Sequence, residues 1–244
     1  PKELGPVVVG VTGYGNVSRG AQHILDLLEP ITIGPEALKT EQLEAGKLYK
    51  VVFEEKHMAE PKEAGQDFDL QTYFDHPEQF RGTFSRYIDD LTMIVNCIYW
   101  EERYPRLVSN EDLRERFGEG KTPKLRVIGD ISCDVEGSIQ ATVKATQPDN
   151  PVFVFDPHAE KTIDGVEGNG PVIMSVDNLP CELSREATLS FGEALTPFVP
   201  ESVRADFEGV DFESLRLPAP IKRAVIVHRG ELTPSFQYLN SHIR

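Results

Sequence analysis

The stretch VVVGVTGYGNVSRGAQHIL, residues 7–25, combines the three local patterns that decide the fold. Its first five residues are valines apart from one glycine, which is typical of a strand buried on both faces of a parallel sheet. Gly13 and Gly15 then indicate a tight turn. Over residues 18–28, apolar side chains recur at helical spacing, and Pro30 ends the predicted helix.

The turn matches most of the Gly-x-Gly-x-x-Gly pattern, which places the pyrophosphate of a dinucleotide at a helix N-terminus. Gly13 permits the tight turn, Gly15 lets the backbone approach a phosphate, and Ser18 occupies the position of the third glycine. A serine is small enough for close packing of the helix on the strand. The pattern predicts a dinucleotide-binding turn, and a plain connection between strand and helix is the alternative.

The rest of the chain alternates between strand and helix patterns. Strands are predicted at residues 31–33, 48–55, 91–100, 124–134, 151–156, 170–180 and 221–232, and helices at residues 36–46, 109–117 and 184–199. Such alternation predicts right-handed βαβ units. The expected fold class is therefore α/β, with a mostly parallel sheet of Rossmann type and helices on both faces.

Two domains or segments are expected. Residues 1–200 form the predicted dinucleotide-binding domain, with a polar excursion at about residues 57–90 that runs over the edge of the sheet. Residues 201–244 form a C-terminal segment that packs back on this domain or toward a separate substrate domain. The first strand begins within a few residues of Pro1, so we expect the chain to be part of a longer protein.

Composition excludes several classes of protein. The net charge of -15 repels phosphate backbones, so nucleic acid is not an expected partner. No apolar run approaches the roughly 20 residues of a membrane span, so no membrane is expected either. The three cysteines and six histidines lack the spacing of a disulfide framework or a metal site. The GxSxG pattern of many hydrolases is absent from the sequence.

Polar residues follow several of the predicted strands, where open α/β sheets bind their ligands. Asp130 and Asp134 flank the end of one strand, and Asp177 and Asn178 end another. Each pair alone is explained by ordinary turn chemistry, but two pairs at one edge of a sheet favour a shared site. Tyr99 lies at the end of the fourth predicted strand, residues 91–100, where it walls a cofactor pocket or packs in the core.

The choice of cofactor depends on the residue that ends the second strand of the fold. An acidic residue there binds the ribose hydroxyls of NAD and repels the 2′-phosphate of NADP. The second predicted strand ends at Ile33 and is followed by Gly34 and Pro35, without an acid. Lys39 lies a few residues later and adds a positive charge, so this pattern favours NADPH over NADH.

Several long segments resemble one family over nearly the whole chain. They are GYGNVSRGAQHIL, VNCIYWEERYPRLVS, GDISCDVEGSIQ, SVDNLPCELSREATLSFGEAL and KRAVIVHRGELTPSFQYL. In this order they resemble the lysine-ketoglutarate reductase part of the bifunctional α-aminoadipic semialdehyde synthases. YPRLVS, DISCDVEGS and VDNLP are also similar, more distantly, to segments of alanine dehydrogenase.

The resemblance implies an activity and its partners. Enzymes of this family join the ε-amine of lysine to the ketone of 2-oxoglutarate as an imine, which NADPH reduces to saccharopine in lysine degradation. A Rossmann domain binds the cofactor, and an N-terminal substrate domain closes over it and supplies acid and base groups. A fused saccharopine dehydrogenase domain and a homo-oligomeric assembly are further expectations.

The resemblance also implies site residues. Gly13, Gly15, Asn16 and Val17 line the pyrophosphate turn, and Asp134 and Asn178 lie near the nicotinamide. Ser18, Tyr99 and Asp130 complete the predicted cofactor site. The family's N-terminal substrate domain has no counterpart in this sequence, so the chain is expected to bind nucleotide and to be inactive or very weak alone.

Two other functions fit the sequence. An NAD-dependent saccharopine dehydrogenase or an alanine-dehydrogenase-like enzyme keeps the fold and changes the cofactor or substrate. The second alternative is a non-catalytic module that senses a nucleotide or supports assembly; it has the same fold but no enzymatic activity. The cellular location expected from the family is the mitochondrial matrix or the cytoplasm, depending on the source.

Overall fold

The computed structural model describes residues 5–242, and the chain divides between Asp177 and Asn178 into two units. Within residues 5–177, ten strands belong to the first unit. In chain order they are β1 (Val7–Thr12), β2 (Ile31–Ile33), β3 (Leu48–Phe53), β4 (Ala59–Pro61), β5 (Phe80–Gly82), β6 (Met93–Asn96), β7 (Val127–Asp130), β8 (Val152–Asp156), β9 (Lys161–Asp164) and β10 (Val172–Met174). β4 and β5 pair with each other, and the other eight form one sheet.

The eight-stranded sheet has the order β2-β3-β1-β6-β7-β10-β8-β9. Neighbouring strands from β2 to β10 are parallel, whereas β8 and β9 are added in antiparallel pairing. In β1, Val8, Val9 and Val11 are all buried, although adjacent residues point to opposite faces. Burial on both faces is the expected state of a central parallel strand. The predicted α/β class with a mostly parallel sheet is confirmed.

In the described part of this unit, six α-helices connect the strands. They are α1 (Asn16–Asp26), α2 (Ala37–Thr40), α3 (Glu55–Met58), α4 (Leu70–Asp75), α5 (Ser85–Ile88) and α6 (Asn110–Arg116). The capping pattern predicted at the start of α6 is present, because Ser109 and Asp112 exchange side-chain-to-backbone hydrogen bonds. The helix predicted at residues 36–46 is wrong beyond its first turn. Its backbone becomes extended at Glu41, and the Glu44 amide donates to the Tyr49 hydroxyl at 2.9 Å.

The strand order departs from a simple βαβ series. β3 lies beside β1, in register from Val7↔Leu48 to Thr12↔Phe53, and β2 lies outside β3 at the edge. The chain therefore passes from β1 through α1 to the sheet edge before it returns to add β3. Consequently the residues after β3, and not those after β2, adjoin the turn that follows β1.

The segment between β3 and β6 includes residues 57–90, for which the sequence predicts an excursion. It contains α3, the β4–β5 pair, α4 and α5. Phe53 at the end of β3 anchors it, because its buried ring packs against Phe84 and Tyr87 with ring centroids 5.0 and 4.9 Å apart. Such aromatic contacts fix the excursion on the sheet near the ends of β1 and β3.

The second unit contains α7 (Ser184–Leu195), α8 (Val199–Arg204), α9 (Ala219–Ala224) and a hairpin of β11 (Val227–His228) and β12 (Glu231–Leu232). The helix predicted at residues 184–199 ends at Leu195 and continues as a 3₁₀ turn, since Pro197 cannot supply a helical N–H. Within residues 5–242, no helix has the length and apolar character needed to cross a bilayer.

The strand predicted at residues 221–232 is wrong in its first half, which forms α9. Pro220 stands in the first turn of this helix, where a missing N–H costs nothing. The second half is the β11–β12 hairpin, and its turn at Arg229 and Gly230 has the predicted position. The His228 Nε2–H group donates a hydrogen bond at 2.9 Å to the Val210 carbonyl, which ties the hairpin to the preceding loop.

Candidate functional site

A cleft of about 740 Å³ lies at the carboxyl ends of β1, β3, β6 and β7. This is the edge at which open α/β sheets bind ligands. The cleft is lined by Gly13, Tyr14, Gly15, Asn16, Val17, Glu55, Met58, Tyr73, Phe74, Cys97, Ile98, Tyr99, Trp100, Tyr104, Ile131, Ser132 and Asp134. Its volume falls in the range of small-molecule and cofactor sites.

Gly13 is required by the turn itself. It has φ +83°, and a Cβ placed there lies 3.2 Å from the Ile98 Cγ2 atom. Its amide donates to the Phe53 carbonyl at 2.8 Å, and its carbonyl accepts from the Ser18 hydroxyl at 2.6 Å. The turn is therefore held on both sides, and Ser18 is buried as part of it.

Gly15 is not required by the turn. Its φ of -70° suits any residue, and a Cβ placed there meets nothing within 4 Å. It lines the cleft and is the N-cap of α1, without a side-chain cap. The first amides of a helix have no partner within the helix, and the helix dipole favours a negative charge beside them. The open space beside Gly15 therefore lies next to the N-terminal amides of α1, where an anion can bind.

A buried hydrogen-bond network lies beneath the cleft. The Thr12 hydroxyl donates to the Asn96 side-chain carbonyl at 2.9 Å, and the Asn96 amide donates to Asp130 Oδ1 and to the Ser138 hydroxyl, both at 2.8 Å. The Thr142 hydroxyl donates to Asp130 Oδ2 at 2.6 Å. Because Asp130 is buried, its pKa is raised from the ordinary aspartate value despite these hydrogen bonds. The network ties together the ends of β1, β6 and β7.

Ile98, Ile131, Ser132 and Asp134 line the part of the cleft that we call the β7 end. The Ser132 hydroxyl donates to the Ile98 carbonyl at 2.9 Å, so the loops after β6 and β7 are joined. Cys97 lines the same region, and burial raises the pKa of its thiol to about 11. The thiol is therefore neutral near pH 7 and is not a nucleophile.

Tyr14, Glu55, Met58 and Tyr73 line the opposite part, which we call the β3 end. Glu55 begins α3 and is half-buried. Burial and the adjacent Glu55 carboxylate, which accepts a hydrogen bond from the Tyr14 phenol, raise the pKa of Tyr14. Tyr73 belongs to an aromatic wall in which its ring centroid lies 5.2 Å from that of Tyr104.

The cleft brings together most of the predicted site residues. Gly13, Gly15, Asn16, Val17, Tyr99 and Asp134 line it. Ser18 and Asp130 are buried and support the turn and the strand ends instead. Asn178 belongs to the second unit, where it has a left-handed backbone conformation with φ 56°.

Sequence reasoning missed Glu55 and the aromatic residues of the excursion. Two consecutive glutamates after the strand pattern at residues 48–55 were the available signal. These glutamates could be assigned to the cleft only with the knowledge that β3 lies beside β1. The alternation of strand and helix patterns does not give this strand order. Among residues 5–242, no group of three or more His, Cys, Asp or Glu side chains is arranged to hold a metal ion.

Comparison with known proteins gives the relatives of this chain. No family model matches it. The chain is 36% identical to α-aminoadipic semialdehyde synthase of Arabidopsis thaliana over 98% of its own length and 23% of the relative's. It is 33% identical to the mitochondrial α-aminoadipic semialdehyde synthase of Bos taurus, again over 98% of this chain and 27% of the relative. The chain thus spans about a quarter of the length of these proteins.

A second group of relatives matches half of the chain. Saccharopine dehydrogenase [NAD(+), L-lysine-forming] of Emericella nidulans is 32% identical over 48% of this chain and 29% of the relative. The chain is therefore homologous to α-aminoadipic semialdehyde synthase and related to saccharopine dehydrogenases, which are oxidoreductases of lysine metabolism. The resemblance seen in the sequence is confirmed at this level.

Proposed function

We propose that this chain is the dinucleotide-binding part of a lysine-ketoglutarate reductase, which forms saccharopine from lysine and 2-oxoglutarate. One observation carries the proposal: Gly15 is open to the cleft at the N-terminus of α1, although the backbone does not need a glycine there. A glycine that the backbone conformation does not require leaves room for the close approach of a ligand. The position is that of a pyrophosphate in dinucleotide-binding folds.

A dinucleotide extends from this pyrophosphate position in both directions. We place the nicotinamide at the β7 end, where Ile98 and Ile131 exclude water and Asp134 is the exposed carboxylate. The adenosine then occupies the β3 end. When bound, the reduced nicotinamide would supply a hydride to the carbon of the protonated imine, whose nitrogen then becomes the neutral secondary amine of saccharopine.

The residues of this chain position the cofactor and leave acid–base chemistry to other groups. Cys97 is neutral and Asp130 is buried in hydrogen bonds, so neither exchanges protons with a substrate. In this proposal Asp134 faces the nicotinamide, and an N-terminal substrate domain supplies the acid and base. Because reacting groups must be held in one geometry, this chain alone binds nucleotide without appreciable turnover.

The resemblance to lysine-ketoglutarate reductases predicts NADPH as the reductant, whereas the acidic residues after β3 favour NADH. The bovine relative is named mitochondrial, so a mitochondrial location is proposed for a chain from an animal source. An NAD-dependent saccharopine dehydrogenase is the second candidate, because fungal enzymes of that name match half of the chain. Turnover of lysine and 2-oxoglutarate, or of saccharopine, by the full-length protein distinguishes the two.

The first test is a fluorescence titration of the 244-residue chain with NADH and NADPH, in the wild type and in Gly15→Val. We expect at least one nucleotide to bind, and the valine to weaken it by about 100-fold or more, roughly 2.7 kcal/mol. The Cβ has free space in the unliganded chain, so the variant should unfold at the wild-type temperature.

Gly20→Val is the matched control. Gly20 lies on α1, also has nothing within 4 Å of a Cβ, and does not line the cleft. Its affinity for nucleotide should equal that of the wild type. Unchanged affinity in folded Gly15→Val contradicts the proposal, and so does failure of the folded wild type to bind either nucleotide.

A further inference from the structure

We infer that the acidic pair Glu54 and Glu55 makes the cleft select a dinucleotide whose adenosine ribose carries a free 2′-hydroxyl, so that NADH binds in preference to NADPH. This inference rests on the proposed function, since it concerns the adenosine half of the same ligand. It runs against the cofactor that the sequence pattern and the resemblance predict.

The strand order locates the ribose. In dinucleotide-binding sheets, the adenosine ribose lies at the end of the strand beside β1, and an acid at that end binds its hydroxyls. In this chain that strand is β3, whose last residue, Phe53, pairs with Thr12 at the end of β1. The Phe53 carbonyl accepts from the Gly13 amide at 2.8 Å. Glu54 and Glu55 therefore begin at the level of the glycine turn.

The two glutamates occupy different positions at this level. Glu54 caps α3, and its carboxylate accepts from the backbone amide of His57. Glu55 lines the cleft beside Tyr14. A carboxylate accepts hydrogen bonds from a ribose diol, but it cannot donate to a phosphate. A 2′-phosphate bound beside Glu55 is repelled by that carboxylate, and Glu54, the preceding residue, adds a second negative charge to the same segment.

The nearby cations are already paired with acids. The Lys56 ammonium lies 2.9 Å from Glu54 Oε2, and Lys56 does not line the cleft. Lys39, which the sequence offered as a partner for a 2′-phosphate, lies 2.5 Å from Asp90 Oδ2. Arg86 lies 3.9 Å from Glu60 Oε2 and packs over the Tyr87 ring. A 2′-phosphate would have to break one of these pairs.

The neighbouring wall suits the adenine of the same half. Tyr73 and Phe74 of α4 line the cleft together with Tyr104. Burial, with smaller contributions from Tyr104 and Glu55, raises the pKa of Tyr73, so its ring stays neutral. Flat neutral rings stack on a nucleobase without adding charge. The Glu55 carboxylate and this wall therefore face adjacent parts of one adenosine.

The test uses fragments that contain only the adenosine half. ADP-ribose and 2′-phospho-ADP-ribose are titrated calorimetrically into the 244-residue chain. We expect ADP-ribose to bind more tightly by about tenfold or more, roughly 1.4 kcal/mol. The reason is that the 2′-phosphate adds about 1.5 to 2 negative charges at pH 7. In the Glu54→Gln/Glu55→Gln double variant, the ratio of the two affinities should fall to within about threefold. Glutamine keeps the size of each side chain and the acceptor that caps α3.

Glu63→Gln is the control for net charge. Glu63 is exposed, belongs to the same excursion and does not line the cleft. In Glu63→Gln, the ratio of the affinities for ADP-ribose and 2′-phospho-ADP-ribose should match that of the wild type. Tighter binding of the 2′-phosphorylated fragment by the wild type, or an unchanged ratio in the double variant, overturns the inference while leaving the proposed function intact. Binding of neither fragment by the folded chain overturns the proposed function.

Discussion

The β7 end and the β3 end of the cleft hold their polar groups in different ways. Beneath the β7 end, the side chains of Asn96 and Asp130 are buried and hydrogen-bonded to residues of three strand ends. At the β3 end, Glu55 is half-buried and Tyr73 stands in an aromatic wall contributed by the excursion. The first arrangement stabilises the fold, and the second leaves its groups available to a ligand.

This difference teaches that an acid near a ligand edge is not by itself a ligand residue. Asp130 and Glu55 both follow or end a central strand at the same edge of the sheet. Both oxygens of Asp130 accept hydrogen bonds from the protein, whereas the carboxylate of Glu55 faces the cleft. Substitutions at the two ends should therefore separate stability from binding.

The largest effect is expected from Asp130→Ala. The change removes the acceptor for Asn96 and Thr142 and leaves buried donors unpaired, which should lower the free energy of unfolding by about 3 kcal/mol. Urea denaturation measures this loss. A loss below about 0.5 kcal/mol would show that the network does not stabilise the strand ends.

Asp130→Asn adds a test based on pH. Because the pKa of Asp130 is raised in the folded protein, the folded state binds its proton more readily than the unfolded state does. The stability of the wild type relative to Asp130→Asn should thus be greatest below the ordinary aspartate pKa. It should fall as the pH rises through the folded pKa. The opposite slope would mean that hydrogen bonding outweighs burial at this carboxylate.

The next effect is expected from Tyr73→Ala at the β3 end. Loss of a ring that stacks on adenine should weaken ADP-ribose by about tenfold, since such stacking contributes roughly 1–3 kcal/mol per base. Tyr73→Phe keeps the ring and should stay within about threefold of the wild type. An equal loss in both variants would indicate a hydrogen bond from the phenol rather than stacking.

The sequence was sufficient for the parts of this site that depend on local pattern. The valines of β1, the glycine turn and the capping residues of α6 each act within a few neighbours, so their patterns predicted the correct elements. The same local pattern was enough to choose Gly15 as a candidate site residue, and Gly15 lines the cleft. The excursion could be delimited by its polar composition, although its aromatic wall could not be assigned to the cleft.

The β3 end depends on a long-range arrangement that no local pattern records. Because β3 lies between β1 and β2, Glu54 and Glu55, and not the residues after Ile33, follow the strand that pairs with β1. The same limitation explains Asp130, because hydrogen bonds from residues 34 positions before it and 12 positions after it decide that it is buried. Strand order and burial follow from the packing of the whole unit.

The smallest effect is expected from Cys97→Ser, which tests whether the β7 end contains a reactive group. The thiol lines the cleft, but its pKa of about 11 keeps it protonated at neutral pH. The substitution should change the affinity for NADH by less than about threefold, because a neutral thiol makes only weak hydrogen bonds. Alkylation of Cys97 by iodoacetamide should also be slow at pH 7 and accelerate toward the thiol pKa. Rapid alkylation at pH 7 that nucleotide blocks would show that Cys97 is a nucleophile at the β7 end. The proposed contrast, in which only the polar groups of the β3 end are available to a ligand, would then be wrong.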